Sequence, residues 1–103
     1  MSEKEEKCRC GLAVWKHEVD YDTAIHFIDK RDHSWALEAL KTLRKTFDEV
    51  EHACQIRVPE AKEKIDDAKW NIERENWMDA KWDLLAASAH LLDEVKKCAG
   101  VTK

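Results

Sequence analysis

The chain has 103 residues, room for one domain. It carries 18 Lys and Arg against 22 Asp and Glu, a formal charge of −4, with only two Gly and one Pro. So few turn formers exclude an all-β domain and a linker-rich chain. An apolar share of 44% with five Trp argues against disorder, and the interspersed charges offer no basic stripe for nucleic acid.

Residues 1–103 read as a single helical-bundle domain, with 1–11 expected to be a flexible or Cys-tethered segment. The charged start, Met1 to Lys7, has no apolar run of the secretory kind. Apolar runs such as Leu84 to Ala89 are too short to cross a membrane. The expectation is a cytoplasmic protein that does not engage a membrane.

In chain order, the apolar spacing predicts four helices, near 12–30, 34–54, 59–74 and 77–98. The first has a stripe of Val14, Tyr21, Ala24, Ile25 and Ile28, with Leu12, Trp15 and Val19 beside it. The second follows Ala36, Ala39, Leu40, Leu43, Phe47, Val50 and Cys54, and Ser34 is the expected N-cap. The third opens on Pro59, a favoured first-turn residue, and has small inner residues, Ala61 and Ala68. That weak face leaves room for a homodimer in which another chain covers both alanines. The fourth runs through Trp77, Ala80, Leu84, Ser88, Leu91, Val95 and Cys98, widened by Trp82, Leu85 and Leu92. Asn76 is its expected cap and Gly100 its stop. At 1.5 Å per residue the helices span roughly 24–33 Å and match in length. Short connections then favour an all-α, up-down-up-down antiparallel four-helix bundle made of two helical hairpins. Two such hairpins are too few for a solenoid.

This topology sorts the two unusual residue types. Cys8 and Cys10 precede the first helix, Cys54 ends the second and Cys98 ends the fourth, so all four thiols are expected at one pole. Three readings follow. The four sulfurs ligate Zn or an Fe–S centre, with His17 or His52 as alternates, although Cys-x-Cys is tighter than the usual zinc spacing. Or they form two disulfides, which need an oxidising compartment or a hyperthermophilic source. Or they are free thiols, with Cys54 and Cys98 serving as small core residues.

Trp35, Trp70 and Trp77 fall at the opposite pole and are the expected partner-binding residues, since Trp is enriched in interface hot spots. The plainer alternative is that the rings only cap the core. Glu49 and His52 have the Glu-x-x-His spacing of carboxylate di-iron bundles but lack a second such pair. His17 lies near the inner stripe as a buried polar residue, His26 sits between Asp22 and Asp29, and His90 is expected to be exposed. No phosphate loop or nucleophile elbow is present. The sequence therefore favours a small non-enzymatic accessory protein acting through protein contacts. The rival is a thiol-based metal or redox protein.

Overall fold

A computed structural model describes residues 10–98. Among these residues there are four helices and no strand: α1 Gly11–Asp29, α2 His33–Cys54, α3 Pro59–Glu73 and α4 Trp77–Cys98. Gly100 lies outside the described residues.

The α2 cap differs from the sequence expectation. The helix starts at His33, and the carboxylate of Asp32 accepts from the Trp35 backbone N–H at 3.2 Å. Asp and Ser cap equally well, and the extended backbone of Asp32 puts its oxygen over the first turn. At α4, the Asn76 carbonyl accepts from the Ala80 N–H, and its side-chain amide donates to Asn71 Oδ1.

A Gly-poor chain still has to turn three times, and it does so the same way each time. Arg31, Gln55 and Glu75 take the left-handed conformation, with φ of 56°, 55° and 61°. Each follows a helix end and is closed by two reversed hydrogen bonds. Asp32 N–H to Phe27 O and Arg31 N–H to Ile28 O close α1. Ile56 to Glu51 with Gln55 to His52, and Asn76 to Asn71 with Glu75 to Ile72, repeat the pattern after α2 and α3. This is the Schellman motif, which satisfies orphan carbonyls and usually employs Gly. A side chain held there costs of order 1 kcal/mol, which the packing on either side offsets.

The core is formed by the predicted inner stripes. Ile28, Leu43, Phe47, Ile72, Leu84 and Leu91 are its largest fully buried apolar side chains. Each contributes roughly 1.5–3 kcal/mol on leaving water. The main contacts pair α1 with α2 and α3 with α4, and lighter seams join α2 to α3 and α1 to α4. Ala61 and Ala68 are buried within this chain, so no second copy is needed to cover them.

The flanking residues depart from expectation. Trp82 and Leu85 do not widen the α4 core face but point outward beside Met78. Leu12, Trp15 and Val19 are exposed on α1. Both helices carry apolar residues on more than one side, so periodicity alone does not select the buried face.

Candidate functional site: the two helix ends

At one end, Cys10 and Cys54 form a disulfide with Cα atoms 5.1 Å apart. It joins the residue preceding α1 to the last residue of α2, and both cysteines are buried. The expected meeting of these two sulfurs therefore occurs, as a covalent bond. In that state neither is a thiolate available to Zn or an Fe–S centre. Cys8 and the Cys98 side chain lie outside the described residues. No group of three or more His, Cys, Asp or Glu able to hold a metal is present among the described residues.

A polar knot adjoins this bond. Glu51 Oε2 accepts from the buried Val58 N–H at 2.7 Å, and Glu51 Oε1 accepts from Lys62 Nζ at 2.7 Å. Lys62 also reaches Asp48 at 3.2 Å. The hydrogen bond that Lys62 donates to Glu51 raises the Lys62 pKa against the lowering effect of burial, with Asp48 assisting. Sequence reasoning singled out Glu49 and His52, whereas the neighbouring Glu51 is the hub. Glu49 instead pairs with Lys16 at 3.2 Å, and His52 is exposed. The signal for Glu51 was its spacing to Lys62 across a Pro-led turn, which helical periodicity does not weigh.

His17, an alternate ligand by sequence, is fully buried on the α1–α4 seam. Its Nε2 lies 3.0 Å from Ser88 Oγ, and its Nδ1 has no hydrogen-bond partner among the described residues. Phe47 meets the ring edge-on at 5.0 Å between centroids. Burial lowers the His17 pKa, and the charges of Asp20 and Asp22 oppose that shift. The ring is thus a core imidazole held neutral. His26 is exposed and packs edge-on against Phe27, whereas His90, expected to be exposed, is half-buried.

At the other end, Trp35 stacks on Phe27 with centroids 5.9 Å apart, and His33 meets Trp77 edge-on at 6.4 Å. The starts of α2 and α4 are thereby neighbours. The three candidate Trp residues behave differently. Trp77 is half-buried and packs on the core. Trp35 is 59% exposed and Trp70 52%, the latter under the Arg74 guanidinium at 3.6 Å. Two rings the sequence had placed beside core stripes are more exposed still, Trp15 at 64% and Trp82 at 61%. Trp82 borders a small cleft with Tyr21, Met78, Lys81 and Leu85. No helix of the described residues is long and apolar enough to cross a membrane.

Compared with protein-family models, with curated proteins and with solved structures, the chain matches none.

Proposed function

We propose that this chain is a small non-enzymatic accessory protein that acts through protein contacts. One observation carries the reading: four of its five Trp are more than half exposed. Trp ordinarily repays its burial more than any other side chain, and exposed apolar rings mark interaction surfaces. Trp35 and Trp70 remain the leading contacts, with the half-buried Trp77 as the footing beneath that end.

The finer arrangement in this reading is the up-down-up-down antiparallel bundle. Cys10 with Cys54, Lys16 with Glu49 and Phe27 with Trp35 support it, because positions rise on α1 as they fall on α2. Lys62 with Glu51 and Arg44 with Asp66 support the same sense for α2 and α3. His17 with Ser88 and Asp29 with Lys81 do so for α1 and α4.

The rival thiol-ligated metal reading requires Cys10 and Cys54 as thiolates, so the disulfide weighs against it. The disulfide also bears on location. Such bonds persist in oxidising compartments or in hyperthermophiles, and the cytoplasmic expectation fits the second of these.

The test is affinity capture from the source cells, followed by titration of the purified partner. Wild-type protein is expected to bind, and Trp35→Ala/Trp70→Ala to bind at least about tenfold more weakly. Unchanged affinity in the double variant overturns the assignment of this surface. One bound Zn or Fe per chain would restore the metal reading.

A further inference from the structure

We infer that the groove between α2 and α3 receives an acidic amphipathic helix of a partner protein. The groove has a volume of about 710 Å³ and borders α2 from Ser34 to Lys45 and α3 from Ile65 to Lys69. Its floor is apolar, formed by Leu37, Leu40 and Ile65. It lies along the lighter α2–α3 seam and adjoins the Glu51–Lys62 knot, since Arg44 on its rim donates to the Lys62 carbonyl at 3.2 Å.

Charge selects the occupant. The rim holds Lys41, Arg44, Lys45 and Lys69 against Glu38 and Asp66, a net of +2 in a chain of net −4. Both carboxylates are already engaged, Asp66 by Arg44 and Glu38 by Lys41. Lys45 on one helix and Lys69 on the other form no ion pair among the described residues, and both are exposed. Two uncommitted cations, one from each helix, thus border an apolar floor. An apolar stripe flanked by Glu or Asp complements both features at once. The α2 border from Ser34 to Lys45 covers about 17 Å, or three helical turns. The groove is partly open to solvent, which suits a helix laid between two others better than an enclosed small molecule.

This inference rests on the protein-contact reading and names the chemistry of one partner segment. The probe is a synthetic 14-residue helical peptide with Leu at every third or fourth position and Glu on both flanks. Its counterpart carries Lys in place of Glu. Binding is read by fluorescence anisotropy and by amide chemical shifts. The Glu peptide is expected to shift Leu37, Leu40 and Ile65 and to bind at least about tenfold more tightly than the Lys peptide. Lys45→Glu/Lys69→Glu, at two exposed positions, is expected to reverse that preference while leaving the circular dichroism spectrum unchanged. Equal binding of the two peptides, or shifts confined to other faces, overturns the inference. So does dodecanoate occupying the groove when the Glu peptide does not. If a natural partner still binds Lys45→Glu/Lys69→Glu and is lost on Trp35→Ala/Trp70→Ala, the groove assignment alone fails.

Discussion

The two ends of this molecule are built from equally unusual residues and used in opposite ways. At the cysteine end, Cys10 and Cys54 are consumed internally, although Trp15 in the adjoining part of α1 stays exposed. A disulfide joins α1 to α2, and Glu51 ties the α2–α3 turn to Lys62 and to the Val58 amide. At the tryptophan end, Trp77 packs on the core while Trp35 and Trp70 keep more than half of their surface exposed. A residue type therefore signals function only once its neighbours are known. Sulfurs that find each other become structure, whereas rings that find no core stay exposed.

Breaking the covalent tie tests the first half of this contrast with the largest effect. The bond closes a loop with a sequence separation of 44. The chain-entropy model assigns such a loop about 4 kcal/mol. Cys10→Ala/Cys54→Ala should lower the urea unfolding free energy by about that amount while leaving partner affinity within twofold of wild type. Removing the polar knot comes next. Glu51→Ala leaves the buried Val58 N–H unpaired and should cost about 2 kcal/mol in the same assay.

The buried imidazole on the α1–α4 seam gives a pH-dependent test. Its folded-state pKa is lowered by burial, so the unfolded chain takes up the proton first. Its contribution is complete above the ordinary value of 6.5 and falls as pH drops below it. Thermal melts between pH 7.5 and 5 should show stability declining with acid, and His17→Leu should lose that component of the slope.

The smallest effects distinguish the turns at the two ends. Gln55 and Glu75 share a left-handed backbone that Gly adopts freely. Glu75→Gly, at the open end, should stabilise by about 0.5–1 kcal/mol in urea. Gln55→Gly should gain at least as much, because the adjoining disulfide already limits the extra freedom that Gly gives the unfolded chain there.

Much of the frame was legible from residue spacing. The helices fall within one residue of expectation, since apolar stripes such as Leu43, Phe47 and Val50 have one period and one buried side. Legibility failed where that uniqueness failed. Trp82 and Leu85 lie next to a core stripe in angle, and only the position of α1 decides that they face outward. Ser34 and Asp32 compete as caps on equal chemistry, and the turn geometry chooses. The pairing of Cys10 with Cys54 depends on register between two helices and on redox state, and composition encodes neither. The Glu51–Lys62 knot depends on a turn conformation at Gln55 that a residue other than Gly does not advertise.

The contrast between the ends is tested most directly by native-state hydrogen exchange of the oxidised protein. Ile56 and Val58 close the tied turn, while Asp32 and Asn76 close the two turns at the tryptophan end. The account predicts that Ile56 and Val58 exchange only through global unfolding, and that Asp32 and Asn76 exchange faster through local opening. Equal protection at both ends, or greater protection of Asp32 and Asn76, would contradict it.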